Sequence, residues 1–147
     1  MTVSRATEDN GVVGYFDLPS DAEIYKRGLI TVNTVGGDAF VQLDDFIATD
    51  NVIICTPLAP LRLTTLIFIS FAVNYQKWRY SYGRQCYREK LAKVNIYLPV
   101  MGSNKIDETL MENVVKQSSY WRQIEKRFKG HTIPVFQSKS KSMLPGF

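Results

Sequence analysis

Histidine occurs once in this chain, at position 131, and cysteine only at positions 55 and 86. With no HExxH, no CxxC and no Cys/His cluster, the usual ligand sets of a zinc site are missing. Two cysteines are too few for a disulfide framework. Cys55, inside the apolar run VIIC, reads as a small core residue; Cys86, inside a basic segment, reads as partly exposed. Phosphate loops are missing as well, because VGGD has neither the P-loop nor the dinucleotide spacing. Neither a metal nor a cofactor is therefore expected. Long apolar runs are also lacking: the longest, residues 66–73, is interrupted by Ser70 and is far too short to span a bilayer. The N-terminal residues carry no charged-then-apolar leader, so a cytoplasmic protein with no membrane partner is expected.

What is present is ordinary in amount and uneven in placement. The chain has 147 residues, 45% hydrophobic and 22% charged, enough to bury a core in one domain. Residues 1–60 hold three Lys/Arg against nine Asp/Glu, whereas residues 61–147 hold fifteen against five. Such asymmetry fits an acidic body joined to a half that faces a polyanion. Two oppositely charged halves that simply pair in the fold would give the same count.

The order of elements follows from periodicity and breakers. Residues 1–9 and 131–147 read as loosely packed termini, the latter because Ser alternates with Lys before Pro-Gly. Residues 24–25 and LITVN (29–33) read as strand, and LITVN-TVGGD-AFVQL as a hairpin turning on Gly36 and Gly37. NVIIC (51–55) predicts a further buried strand ended by prolines. Residues 63–78 predict a helix with apolar positions 63, 66, 67, 69, 71, 73 and 78, broken by a loop at residues 80–83. VNIYL (94–98) predicts a strand. Asp107 is placed to cap a helix reaching Lys129, with Leu110, Val114, Ser118, Trp121, Ile124 and Phe128 on one stripe and Gly130 as its stop.

Residues 75–93, YQKWRYSYGRQCYREKLAK, concentrate the functional signal. Six cations (Lys77, Arg79, Arg84, Arg88, Lys90, Lys93) face one acid, Glu89, and five aromatic rings sit among them. Cations neutralise phosphates, while arginine forks and tyrosine hydroxyls also reach base edges. A solvated basic loop is the bland alternative. Trp78, lying on the helix stripe, is expected to pack in the core, and Tyr75 with it.

In sequence order, GVVGYFD, LITVN, VGGDAFVQLDDFIATDNVIICTP, FISFAVNYQKWRYSYGRQ and KVNIYLPV resemble a target-recognition domain of restriction–modification specificity subunits. The likeness is to type I specificity subunits and to the related specificity chains of type II systems that cleave on both sides of their site. It covers roughly residues 10–125, and its most specific piece is YSYGRQ followed by KL and IYLP. The resemblance implies an α+β domain, spanning about residues 10–130. A curled, mostly antiparallel or mixed sheet, a central helix and a C-terminal helix would form it, and its loops would read half of a bipartite site in double-stranded DNA. It also implies a DNA adenine methyltransferase (modification) subunit as partner. Specificity subunits usually carry two such domains joined by long paired helices. One domain here leaves a half-subunit that pairs as a homodimer, an excised domain, or a free-standing relative.

The residues then divide by expected role. Arg79, Tyr82 and Arg84 flank Gly83 in the loop begun by Tyr80 and are expected nearest the bases. Lys77, Arg88, Lys90 and Lys93 suit phosphates, since phosphate contacts position and base contacts specify. Thr34, Gly36 and Gly37 form a second candidate loop, with a structural hairpin tip as the competing reading. Arg122, Lys126, Arg127 and Lys129 read as a solvated face or as backbone contacts. Asp44, Asp45 and Asp50 raise a magnesium-nuclease reading, but they lie where acids cap turns and no lysine stands at nuclease spacing. The methyl-donor motif and the Asn-Pro-Pro-aromatic motif are absent, so no catalytic residue is assigned. The expected function is non-catalytic DNA reading. The alternative is a decoy or assembly factor that binds a modification subunit without reading DNA.

Overall fold

The strand at the centre of the fold is β-branched at three of its four positions. β3 (Ile30–Asn33) is buried along its whole length in the computed structural model, which describes residues 1–17 and 20–128. Its side chains alternate: Ile30 and Val32 enter the main core, while Thr31 and Asn33 take part in side-chain hydrogen bonds. Both edges of β3 are paired antiparallel, with β4 (Ala39–Val41) on one side and β6 (Val52–Cys55) on the other. The hairpin expected from LITVN and AFVQL and the strand expected from NVIIC are thus neighbours in one sheet.

A second sheet holds β1 (Thr2–Val3) between β2 (Val12–Gly14), antiparallel, and β5 (Ile47–Ala48), parallel. Residues 1–9, expected to be loosely packed, therefore supply a strand, and Val3 is buried with Leu29 and Phe46 in a small second core. Tyr25 joins it by a single bridge to Phe46, their rings 5.4 Å apart, in place of the short strand expected at residues 24–25. Four helices and three small sheets among the described residues make a single α+β domain.

The central helix α1 (Leu63–Asn74) is apolar on nearly every side because it is covered on more than one. It packs on β4 and on α3 (Glu108–Lys116). The expected cap is present: Asp107 Oδ1 accepts the Leu110 N–H at 2.9 Å. The expected single helix is not. It stops at Lys116, and α4 (Trp121–Phe128) begins after a turn. The break resets the phase, so Met111 and Val115 face the core and Leu110 and Val114 face water, the reverse of the expected stripe. Trp121 and Ile124 do pack on the core. The side chain of Phe128 and residues 129–147, including Lys129, Gly130 and His131, lie outside the described residues.

VNIYL forms no strand. Tyr97 is 91% exposed, and pairing begins only after Pro99, where β7 (Val100–Met101) meets β8 (Lys105–Ile106). Propensity alone does not make a strand, which also needs a partner edge in register. Among the described residues, no helix is long and apolar enough to cross a membrane.

The start of α1 is capped by another helix. Arg62, at the N-cap position, offers no capping side chain; instead Glu108 Oε2 accepts the Arg62 N–H at 2.8 Å and the Thr65 hydroxyl at 2.6 Å. The carboxylate also suits the positive end of the α1 dipole. Removing it in Glu108→Ala should cost about 1 kcal/mol in urea unfolding, as loss of a capping side chain does. One turn on, Glu112 holds Lys116 at 2.5 Å and Arg62 at 2.8 Å. Lys116, and after it Arg62, hold the Glu112 carboxyl below the usual carboxylate range. A depressed pKa adds stability that is complete above the unfolded value of about 4.3 and fades as the pH falls through the lower folded value. Glu112→Gln should therefore flatten the acid limb of the stability–pH curve below about pH 5 and leave its shape near neutrality unchanged.

Candidate nucleic-acid interface

The basic segment begins where α1 is made to stop. The Asn74 side chain occupies the backbone hydrogen-bonding positions of Ala39 in edge strand β4: its Oδ1 accepts the Ala39 N–H and its Nδ2 donates to the Ala39 carbonyl, both at 2.8 Å. A single 3-10 turn, Lys77–Arg79, follows. In that geometry residues three apart lie on one side, and the contacts agree. Lys77 Nζ reaches Asp38 Oδ1 at 2.9 Å, and the Tyr80 ring lies against Gly37.

Trp78 and Tyr75 are corrections to the expected core. They are 70% and 80% exposed, because the helix that would have carried Trp78 inward ends four residues earlier.

The hairpin tip is built to receive this segment. Asn33 Oδ1 accepts the N–H groups of Gly36 at 2.6 Å and Gly37 at 3.2 Å, and its Nδ2 donates to Asp38 Oδ2 at 2.8 Å. Gly37 has φ +75°, and a Cβ there would sit 2.5 Å from Tyr80 Cδ2. The Cys86 N–H donates to the Thr34 carbonyl at 2.6 Å. Cys86 is fully buried, not partly exposed as its basic surroundings suggested. Burial pushes its thiol pKa up, and that of Tyr80, whose hydroxyl hydrogen-bonds with the Cys86 sulfur. The two candidate loops are therefore one structure. Thr34 and Gly37 are buried beneath the basic segment rather than presented as a second recognition loop; Gly36 is half-buried.

Between these anchors the chain doubles back. Ser81 and Arg84 exchange both backbone hydrogen bonds, leaving Tyr82 and Gly83 at the tip of a two-residue turn. Tyr82 is 80% exposed, and a Cβ added at Gly83 would meet nothing within 4 Å. Arg84 Nε donates to the Arg79 carbonyl at 2.6 Å, closing the base of the turn. Arg79 Nε donates to Gln76 Oε1, and its guanidinium lies 5.0 Å from the Trp78 ring centroid. Arg88 opens α2 (Arg88–Leu91), close enough for its charge to oppose the rise that burial imposes on the Cys55 thiol. Lys90 donates to the Gln85 carbonyl at 3.0 Å and lies over the Tyr87 ring; Lys93 is exposed in the turn after α2.

The remaining candidates lie elsewhere. Asp45 binds Lys26 at 2.6 Å and the Arg27 N–H at 3.1 Å, and the Lys26 hydrogen bond holds its carboxyl below the usual range. Asp50 is exposed just before β6, and Asp44 is half-buried after β4. Among the described residues, no three His, Cys, Asp or Glu side chains group so as to hold a metal. Arg122, Lys126 and Arg127 are exposed on α4. Sequence reasoning missed Asn33, Asp38 and Asn74 as positioning residues. The spacing of Asn33 before Gly36, Gly37 and Asp38 was the available signal, since an asparagine commonly closes such a turn.

No protein-family model, no curated protein and no solved structure matches this chain.

The two glycines should separate anchor from tip. Gly37→Ala should destabilise the protein by about 1–3 kcal/mol, through positive φ and the clash with Tyr80. Gly83→Ala should be within about 0.5 kcal/mol of the parent. Parallel thermal or urea melts check both.

Proposed function

We propose that the protein reads a short sequence in double-stranded DNA, as the target-recognition component of a restriction–modification system acting in the cytoplasm. It directs a separate adenine methyltransferase or nuclease subunit and carries out no chemistry itself. The observation that carries this reading is the turn at Tyr82 and Gly83: a cation-rimmed tip held to the central sheet by buried contacts at both ends. Base readout needs side chains whose positions are fixed before binding. Arg84 meets that need, since its Nε is tied to the Arg79 carbonyl while the exposed end of the fork remains available to guanine acceptors. Arg88 and Lys90 on α2 and Lys93 after it would contact phosphates, as would Lys77 if it exchanged Asp38 for one. The likeness of YSYGRQ and its neighbours to target-recognition domains supports the same reading.

A second reading has its own support. Tyr97, Val100 and Met101 are exposed around the β7–β8 hairpin, an apolar surface suited to a protein partner such as a modification subunit or a second copy. A decoy or assembly factor would use that surface without reading DNA.

Selection from a random duplex pool, followed by salt titration, separates the two. A reader enriches one short sequence, and its affinity falls steeply with salt. Each of Lys90→Ala and Lys93→Ala reduces the salt slope by about 1. Arg84→Ala relaxes one base position, at a cost of about 1–3 kcal/mol. No enrichment, with capture of the methyltransferase subunit in the absence of DNA, would instead support the decoy.

A further inference from the structure

Trp78 is one of several aromatic rings that the fold leaves in water. Trp121 is applied to the core, yet Trp78 is 70% exposed. Its position is nevertheless fixed. The turn Lys77–Arg79 is held on one side by Lys77 on Asp38 and by Tyr80 on Gly37, which directs the intervening Trp78 to the other side. The Arg79 guanidinium, itself bonded to Gln76, lies 5.0 Å from the ring centroid and restrains it further. Most of the ring surface remains open. Tyr75 and Tyr82, each 80% exposed, and the cations Arg79 and Arg84 are close in the chain.

A ligand for such a place must offer a flat π-face and bring negative charge with it. A nucleic-acid base on its phosphate backbone does both. An apolar protein groove would offer the ring a home but none to the cations beside it. We propose that Trp78 stacks on a base displaced from the duplex, so that binding opens a base step beside the sequence read; this rests on the DNA-reading proposal above. Aromatic stacking is tolerant of base identity. The energetic cost of displacing a base is least where its pair is mismatched. Trp78 thus couples recognition to how easily one step of the site unstacks, a specificity that hydrogen bonds to base edges do not supply.

The test uses the full chain, a fluorescein-labelled duplex taken from the random-pool selection, and a series of duplexes with one mismatched pair moved stepwise through and beside the site. The parent should bind one member of the series about tenfold more tightly than the fully paired duplex, with quenching of tryptophan emission. Trp78→Ala should lose that preference and most of the quenching, while Trp78→Phe should retain part of the preference. The ring is in solvent, so both variants should melt as the parent does, and the mismatch series on the parent needs no variant at all. If the parent binds every mismatched duplex no better than the paired one, or Trp78→Ala matches the parent in affinity and quenching, the stacking role is wrong while DNA reading stands. If no duplex is bound, both proposals fall. If the parent is instead quenched by an acidic peptide and not by DNA, the ring serves a protein partner and the stacking role is likewise overturned.

Discussion

Two hydrogen bonds from one asparagine tie the end of the central helix to the edge of the sheet. Asn74 pairs with both backbone groups of Ala39, so the last turn of α1 is fixed against the edge of β4 as an extra strand residue would be. An edge strand otherwise presents unpaired donors and acceptors. Here one pair is consumed, at the last residue of α1. The path of residues 75–86 then follows. Lys77 meets Asp38, Tyr80 covers Gly37, and Cys86 closes on Thr34. The hairpin tip and the basic segment are stabilised by each other. Without the basic segment, Asp38 would keep the Asn33 amide but lose the Lys77 cation that pairs its buried carboxylate.

Much of this was legible in the sequence where the determinants are local. The β3–β4 hairpin follows from a β-branched run before two glycines, and α3 from a capping aspartate. The misreadings have a common physical origin. VNIYL has strand composition, but composition does not supply the partner strand that a ladder needs. The α3 stripe was drawn through Leu110 and Val114 because Trp121, Ile124 and Phe128 were taken to continue it, and the turn at Ser118 and Ser119 shifts the phase by a residue. Trp78 looked internal only while α1 was assumed to continue past Asn74, and the residue that holds the end of α1 lies thirty-five positions earlier.

The candidate site divides the same way. Its charge was visible at once, because charge is a property of composition. Its rigidity was not, because the anchors are small or neutral residues: Asn33, Gly37, Asn74 and Cys86. Cys86 shows the difference well. Its neighbours are Gln85 and Tyr87 in a run of cations, yet it is the side chain that seats the run on the core.

Gly83 lies at the opposite extreme from Gly37. Space is open on every side of it, and Tyr82 beside it is supported by nothing that the core needs. Residues that hold the turn and residues that fill its tip are therefore under separate constraints. Mutation at positions 82 and 83 can explore size, charge and hydrogen-bonding pattern without passing through an unfolded intermediate, whereas the supporting frame must stay as it is. A turn arranged in this way can change in single steps, each from a folded precursor. The protein thereby concentrates its freedom to vary in two residues of the turn and its persistence in the frame that holds them.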